Sequence, residues 1–333
     1  MNHRIASLLS DLPAVDPDAA AAVRGRAEQV LRPTGALQRL DDIAVHMAGW
    51  QATSRPTAER PAVLVFAADH GVAAAGVSNY PADVTAAMLA AVRAGKATVN
   101  AFARAAGATV AVFDVGVGDP TGDIRTTSAL TPERLDRVAE IAIAAVDEAV
   151  ANGTDVIALG ELGIGNTTIS AALPAALLGG EPGRWVGRGT GVDDDGLARK
   201  RDAVEAAVRR IAGVTDPIEV LREVGGAEHA AMAVACMRAR HHRIPVVLDG
   251  YITASAVLPM QIARSGALDH CIVGHLSSEP GHRLLVEHLG MAPLLDLGMR
   301  LGEGSGAVAA LPLIRMACAG VVDVPTFDEW FGS

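Results

Sequence analysis

The chain has 333 residues, of which 50% are hydrophobic, 3% aromatic and 20% charged, with 35 glycines and a formal net charge of −10. This length exceeds the usual domain of about 100–150 residues and allows a large core, which must be built from Ala, Val, Leu and Ile. The glycines have no three-residue period, which excludes collagen, and the low charged fraction excludes a disordered chain. The negative charge argues against nucleic-acid binding, although a few local donors can still hold a small anion.

Three cysteines, Cys236, Cys271 and Cys318, lie far apart and form neither a disulfide framework nor a CxxC metal-binding motif. They favour a reducing compartment, and the N-terminal stretch lacks the apolar region of a signal peptide, so we expect a cytoplasmic protein. The uncharged run 162–180 is long enough for a membrane span. It contains glycines, a proline and polar residues, so we predict a loop followed by a helix, with no membrane span.

The first 50 residues predict two helices. Asp16 or Asp18 can cap an alanine-rich helix that reaches Leu31. Thr34 can cap a second helix, in which apolar residues recur at spacings of three and four. The polar stretch 52–61, which contains two prolines, is the best candidate for a linker.

Five short apolar runs, separated by segments of helix length, follow this linker, at residues 62–71, 109–118, 155–165, 245–253 and 270–279. Apolar runs without alternation are typical of strands that are buried on both faces, and the intervening helices indicate a parallel sheet. We therefore predict an α/β fold with helices flanking a parallel sheet.

The chain ends predict a second, smaller unit. The last 30 residues, from about Ser305, again look helical. Helices at both ends of the chain that fall outside the sheet could pack together. We expect a small helical domain from residues 1–55 and 305–333, beside a large α/β domain of residues 56–304.

Each apolar run ends in a polar or ionisable side chain close to a glycine, and these side chains are Asp69 with His70, Asp114, Glu161, Asp249 and His275. Ligands of open parallel sheets bind outside the carboxyl ends of the strands. Turns favour Asp and Gly in any case, which is the alternative explanation. The set as a whole favours a catalytic cleft at this edge of the sheet.

The stretch 160–168, GELGIGNTT, follows a strand and opens an apolar helix. Glycines at such a junction expose backbone N–H groups that attract phosphate, together with the positive end of the helix. The stretch is neither a Walker A loop, since it lacks the lysine, nor a GxGxxG fingerprint, since its third glycine is missing. A plain turn capped by Asn166 or Thr167 remains the alternative.

A second glycine cluster, 187–191, precedes three aspartates, 193–195, and then Arg199 and Lys200. The aspartates are more simply explained as a helix cap than as a metal site. Lys200 could reach a phosphate, or it could lie on a solvated helix face. Neither the ten histidines nor the cysteines have the spacing of metal ligands, so we predict no metal site.

Glu303 stands between two glycines, Gly302 and Gly304, just before the C-terminal helix. Helix propensity does not explain a glutamate in this position. If it is partly desolvated, its pKa would be raised and it could act as a general base near neutral pH. The alternative is that Ser305 caps the helix and the glutamate is incidental.

Six blocks of the sequence, in the right order, resemble the nicotinate-nucleotide:5,6-dimethylbenzimidazole phosphoribosyltransferase family: 32–44, 67–88, 160–168, 187–200, 275–282 and 296–307. The resemblance covers nearly the whole chain. It implies a Rossmann-like domain with a parallel sheet, a small helical domain and a homodimer. It also implies transfer of phosphoribose from nicotinate mononucleotide to dimethylbenzimidazole, without a metal or organic cofactor.

The resemblance assigns roles to particular residues. Glu303 matches the catalytic carboxylate, and Glu161 matches an auxiliary one. The nucleotide and its phosphate would contact Gly163, Gly165, Asn166, Thr167, Lys200 and Ser277. The base would lie against Ser78, Met88, Leu162 and Leu301. One departure is Ala87, where the family's pattern has a glutamine, so we expect looser selectivity for the base.

Three other functions fit the sequence less well. A transferase that uses pyrophosphorylated ribose would need paired acids before a Thr-Gly turn, whereas the stretch 246–253 supplies only Asp249. A non-catalytic sensor of benzimidazoles or nucleotides would not need Glu303. A nicotinamide-dependent dehydrogenase is disfavoured by the missing fingerprint.

Overall fold

The computed structural model describes residues 3–332. Its strands are β1 (Pro61–Ala68), β2 (Thr109–Gly116), β3 (Val156–Leu162), β4 (Val246–Leu248) and β5 (Cys271–Val273). Its α-helices are α1 (His3–Ser10), α2 (Pro17–Gln29), α3 (Gln38–Gln51), α4 (Val84–Arg93), α5 (Thr98–Ala106), α6 (Pro132–Ala151), α7 (Asn166–Leu178), α8 (Asp194–Arg210), α9 (Pro217–Val224), α10 (Ala227–His241), α11 (Tyr251–Ala263), α12 (Pro280–His288), α13 (Ser305–Val322) and α14 (Phe327–Phe331).

The five strands form one parallel sheet in the order β2-β1-β3-β4-β5. All five apolar runs therefore contain a strand, and the predicted α/β fold is confirmed. The strands β4 and β5 are only three residues long, shorter than their runs. In the first of these runs the chain turns at Gly250 into α11.

Helices cover both faces of the sheet. In β1, Leu64 and Phe66 point into one core cluster, whereas Val63 and Val65 point into the cluster on the other face. All eight residues of β1 are buried. This two-sided burial explains why the run has no alternation of apolar and polar residues.

The N-terminal helices differ in detail from the prediction. Asp16 caps α2 by accepting hydrogen bonds from two backbone N–H groups, but the helix ends at Gln29 instead of reaching Leu31. The predicted cap at Thr34 is wrong, because Leu37 occupies the cap position of α3. Residues 33–36 form a turn instead, which delays the start of the helix.

Helix α13 contacts both parts of the molecule. Ala307, Val308 and Leu311 pack in the same cluster as residues of the sheet, whereas Val321 packs with residues of α2 and α3. By length and composition α13 could cross a membrane, but more than half of it is buried inside the protein, as is common for a core helix. The division into two domains stays a prediction.

Candidate active site

A cavity of about 430 Å³ lies at the carboxyl ends of β3, β4 and β5. Of the polar residues predicted to follow the strands, Glu161, Asp249 and His275 line it. Its remaining walls come from loops and helix starts that follow these strands, from α4 and the segment before it, and from the segment before α13. They are Tyr80, Val84, Thr85, Met88, Leu162, Gly163, Ile164, Asn166, Thr167, Gly189, Thr190, Gly250, Tyr251, Ile252, Thr253, Ser277, Glu279, Arg300, Leu301, Gly302 and Glu303.

Glu161, near the end of β3, lines the cavity and is held by the first residue of α7. The side-chain amide of Asn166 donates a hydrogen bond to the Glu161 carboxylate. Gly165 occupies the cap position of α7 with φ +92°, so the alternative that Asn166 or Thr167 caps this helix is wrong. A left-handed residue there allows a tight turn, and the side chains of Asn166 and Thr167 contact Glu161 and Lys200 instead of capping the helix.

The segment that carries Glu303 has an unusual backbone. Gly302, Glu303 and Gly304 are all left-handed, with φ values of 85°, 65° and 84°. Glu303 is the member of this trio with a side chain, and its conformation costs about 1 kcal/mol relative to glycine. The flanking glycines are therefore needed for the turn, whereas the glutamate is kept against the preference of the backbone.

One backbone hydrogen bond and one close approach place this segment against the sheet. The backbone N–H of Glu303 donates to the carbonyl oxygen of Glu161, at 3.2 Å. A Cβ atom added to Gly160, in the middle of β3, would lie 2.5 Å from the Glu303 carbonyl oxygen. The absence of a side chain at Gly160 thus allows the segment to lie directly on the strand.

Asp249, at the end of β4, binds the start of α13. Its Oδ1 accepts the backbone N–H of Ala307 at 2.8 Å, so a carboxylate lies at the positive end of the helix. Gly304, not Ser305, is the cap residue of α13, so the alternative that Ser305 caps this helix is wrong. On the other side, Glu303 Oε2 accepts the backbone N–H of Val99, at 3.1 Å.

Burial perturbs three of the four carboxyl groups that line the cavity, those of Glu161, Asp249 and Glu303. It raises the pKa of Glu161 to about 8, with a further contribution from the nearby charge of Glu228. It raises the pKa of Asp249 to about 7, against the hydrogen bonds from the start of α13. Burial also raises the pKa of Glu303, against the hydrogen bond from Val99. Strongly perturbed carboxyl groups in one cleft are typical of catalytic sites.

The raised pKa of Glu161 predicts a pH-dependent stability. Between its unfolded pKa, near 4.5, and about 8, the native protein binds more protons at this group than the unfolded chain does. This group therefore lowers the free energy of unfolding as the pH rises through that window. We expect Glu161→Gln to gain melting temperature over the wild type as the pH is raised from about 5 to about 9. Calorimetry of both proteins across this range checks this, and a constant difference would contradict it.

A buried acidic residue lies behind Glu161. Glu228 is fully buried, and its Oε1 lies 2.9 Å from both His70 Nε2 and His229 Nδ1. The other ring nitrogen of His229 contacts the hydroxyl of Ser170, at 2.9 Å. Burial alone would raise the pKa of Glu228, but the two histidines hold it well below its usual range.

Lys200 is buried, so the alternative of a solvated helix face is wrong. It lies on α8. The cap of this helix is Asp193, which confirms the prediction that the three aspartates form a helix cap. Its Nζ donates to Thr167 Oγ1 at 2.9 Å and lies close to Gly189. Burial lowers the pKa of Lys200 to about 8. Lys200 does not itself line the cavity but lies directly behind Thr167 and Gly189, which do.

Ser277, after β5, is held by a buried histidine. Its backbone N–H donates to His282 Nδ1 at 3.0 Å, and its hydroxyl lies 3.1 Å from the same nitrogen. Burial lowers the pKa of His282 to about 3, so the ring is neutral and can accept these bonds. Nearby, His275 Nε2 lies 3.7 Å from Asp249 Oδ1.

Three of the four predicted base-binding residues lie in the cavity. Met88, Leu162 and Leu301 line the cavity, whereas Ser78 does not and instead contacts the hydroxyl of Thr190, which does. Ala87 is exposed on α4 and is not part of the wall. The roles of these side chains stay predictions.

Several residues of the cavity were not predicted from the sequence as site residues. The sequence indicated Asp249 and His275 as polar residues at the ends of strands, but it did not indicate which residues they contact. Tyr80 and Arg300 gave no signal, since they lie on connecting segments. Within the described residues, no three His, Cys, Asp or Glu side chains of this cavity lie close enough together to share a metal ion.

Comparisons with known proteins agree with this architecture. A family model described as "Phosphoribosyltransferase" matches residues 12–330. A nicotinate-nucleotide–dimethylbenzimidazole phosphoribosyltransferase from Methylocella silvestris is 46% identical over 98% of this chain and 94% of its own length. One of the same name from Novosphingobium aromaticivorans is 47% identical over 96% of this chain and 94% of its own length.

A solved structure is also similar. The crystal structure of CobT from Thermus thermophilus is 42% identical, with a TM-score of 0.90 over 95% of this chain and 99% of that one. The likeness thus extends over both the sheet and the terminal helices. The chain is a phosphoribosyltransferase, an enzyme of the pentosyltransferase class. It belongs to the nicotinate-nucleotide–dimethylbenzimidazole phosphoribosyltransferase family.

Proposed function

We propose that this enzyme transfers phosphoribose from nicotinate mononucleotide to 5,6-dimethylbenzimidazole in the synthesis of the lower ligand of cobalamin. The products are α-ribazole 5′-phosphate and nicotinate. The names of the relatives support the two substrates. The observation that carries the proposed chemistry is the buried Glu303, held in a strained backbone conformation at the wall of the cavity.

In the proposed reaction, Glu303 accepts the N–H proton of the benzimidazole. The other ring nitrogen attacks the anomeric carbon of the ribose as the bond to nicotinate breaks. The bonding electrons leave with the pyridine nitrogen, whose positive charge is thereby neutralised. Removal of the azole proton relieves the charge that builds on the attacking base, and attack opposite to the leaving group inverts the β-nucleotide to the α-product.

Two other carboxyl groups of the cavity support the assignment of Glu303 as the base. With pKa values of about 8 and about 7, Glu161 and Asp249 are largely or partly protonated near neutral pH. Because Glu161 and Asp249 then carry less than a full negative charge, they repel the Glu303 carboxylate less strongly. A site that pushes the pKa values of neighbouring acids apart can keep one as base and another neutral. We propose Glu161 as the neutral auxiliary group that donates a hydrogen bond to the substrate.

The phosphate would bind where α7 begins. Asn166 and Thr167 lie in the first turn of this helix, whose positive end favours an anion. Lys200 supplies positive charge from behind Thr167, and Ser277 lies elsewhere on the cavity wall. The apolar side chains Met88, Leu162 and Leu301 would contact the flat base.

Lys200→Ala is expected to raise KM for the nucleotide with little effect on kcat, because the lost charge serves binding and not chemistry. In the wild type, KM should rise above a pH of about 8, as the lysine loses its proton. Steady-state kinetics against nucleotide concentration checks both. Arg201→Ala is the matched control, since this neighbouring side chain is exposed. An unchanged KM in Lys200→Ala would remove the lysine from phosphate binding.

We also propose that the enzyme acts as a homodimer in the cytoplasm. Tyr80 and Leu301, at the cavity, are 54% and 53% exposed, and Leu297 nearby in the chain is 67% exposed. Apolar side chains of this size beside a binding site favour cover by a second chain. A mass measurement in solution tests the dimer.

The decisive experiment is to incubate purified protein with nicotinate mononucleotide and dimethylbenzimidazole. We expect release of nicotinate and formation of the α-nucleotide without added magnesium. Binding of both ligands without turnover would favour a sensor. Turnover with pyrophosphorylated ribose but not with the mononucleotide would favour the other transferase class. Activity that a chelator abolishes and magnesium restores would contradict the mechanism.

A further inference from the structure

Two of the three cysteines meet a histidine at the amino end of the sheet. Cys271 is the first residue of β5, His270 precedes it, and Cys236 lies on α10. All three are buried. The active-site residues Asp249 and His275 follow the carboxyl ends of β4 and β5, so this cluster lies at the opposite edge of the sheet.

The three side chains form a compact triangle. The two sulfur atoms are 3.4 Å apart, and His270 Nε2 lies 3.7 Å from Cys236 Sγ and 3.8 Å from Cys271 Sγ. Zinc binds sulfur at about 2.3 Å and imidazole nitrogen at about 2.0–2.1 Å in tetrahedral geometry. Those bond lengths separate two sulfur ligands by about 3.8 Å and a sulfur from a nitrogen by about 3.6 Å. The observed triangle therefore needs only small shifts to accept the ion.

A second cavity gives access to this cluster. It has a volume of about 320 Å³ and is lined by Cys271 together with His46, Gln261 and Asp269. The Nε2 atom of His46 is buried and has no hydrogen-bond partner among the described residues. A polar cavity beside the thiols provides both an entry path and room for a fourth ligand, either water or His46.

We propose that Cys236, His270 and Cys271 form a zinc site whose fourth coordination position faces this second cavity. Zinc binding would release the two thiol protons, giving two thiolates that balance the charge of the ion. In the structure His270 Nε2 lies 3.0 Å from the carbonyl oxygen of Cys236. To bind zinc, this nitrogen gives up that contact and the ring proton resides on Nδ1.

The site is independent of the transfer reaction, because it shares no residue with the active-site cavity. The spacing of the cysteines did not reveal this site. Cys236 lies on a helix, whereas His270, 34 residues further along the chain, and Cys271 lie at the start of a strand. The third cysteine, Cys318, lies on α13, apart from the cluster, and is also buried. It therefore provides a matched control.

The test uses the full-length protein, reduced and stripped of metal, then titrated with cadmium, a spectroscopic substitute for zinc. We expect an ultraviolet thiolate-to-metal band that saturates at about one ion per chain. Zinc should displace the cadmium, and zinc should raise the melting temperature. Cys236→Ser and Cys271→Ser should lose the band, whereas Cys318→Ser should keep it at the wild-type stoichiometry.

Circular dichroism and transferase activity show whether each variant is folded. Should Cys236→Ser not fold, His270→Ala serves in its place, with an affinity for cadmium expected to fall by at least about 10-fold. Absence of the band in the wild type would overturn the proposal. Retention of the full band in folded Cys236→Ser, or binding of copper(I) but not of zinc or cadmium, would overturn it as well.

Discussion

Glu303→Gln is expected to lower kcat by at least about 10²-fold, because glutamine keeps the size of the side chain but cannot accept the azole proton. KM for the nucleotide should change little, since Glu303 faces the acceptor base in the proposed complex. The acid limb of the wild-type pH–rate profile, where Glu303 becomes protonated, should disappear. Steady-state kinetics from a pH of about 5 to about 9 measures all three effects.

A second substitution separates chemistry from folding. Glu303→Gly removes the base and also relieves the left-handed strain at φ 65°, because glycine adopts this conformation readily. We expect it to be at least as inactive as Glu303→Gln, with a free energy of unfolding no more than about 1 kcal/mol below the wild type. Turnover near normal in either folded variant would remove Glu303 from the role of base.

The parallel sheet and the edge that holds the cavity could be predicted from local features. Strands buried on both faces need apolar residues throughout, so β1 and β3 stood out as unbroken runs. Polar residues at the ends of such strands, such as Asp249, indicated the edge at which ligands bind. The loop before α7 and Glu303 could also be recognised in the sequence. Few structures require a glycine-rich stretch directly before a helix, or a glutamate between two glycines.

Contacts between distant segments could not be predicted. Nothing in the local sequence shows that Asp249 binds the start of α13 or that Cys236 meets Cys271, because these contacts depend on how the helices pack. The predicted cap at Thr34 was wrong because a threonine near the start of a helix can also lie in a turn before it. The sequence also did not show whether Lys200 is buried near the proposed phosphate site or lies on a solvated helix face.

Gly160 is the clearest case of a residue whose importance depends on packing. In sequence it is a glycine inside a strand, where alanine would normally be tolerated. In the structure, a Cβ atom there would lie 2.5 Å from the Glu303 carbonyl oxygen and 2.8 Å from the backbone nitrogen of Gly304. Contacts of this length with backbone atoms force the Glu303 segment away from β3.

Gly160→Ala is therefore expected to lower kcat by about 10²-fold, since a shift of about 1 Å in a catalytic group can cost that much. Gly25→Ala, at an open position on α2, is the control for the general effect of replacing glycine with alanine. It should leave kcat unchanged.

The double variant Gly160→Ala with Glu303→Gln shows whether the effect passes through Glu303. If the alanine acts only by displacing the base, removing the base as well adds no further loss, so the double variant should be as slow as Glu303→Gln alone. Independent effects would instead multiply, to about 10⁴-fold. A multiplied loss, or wild-type turnover in Gly160→Ala, would show that Glu303 does not depend on this contact with β3 for its catalytic position.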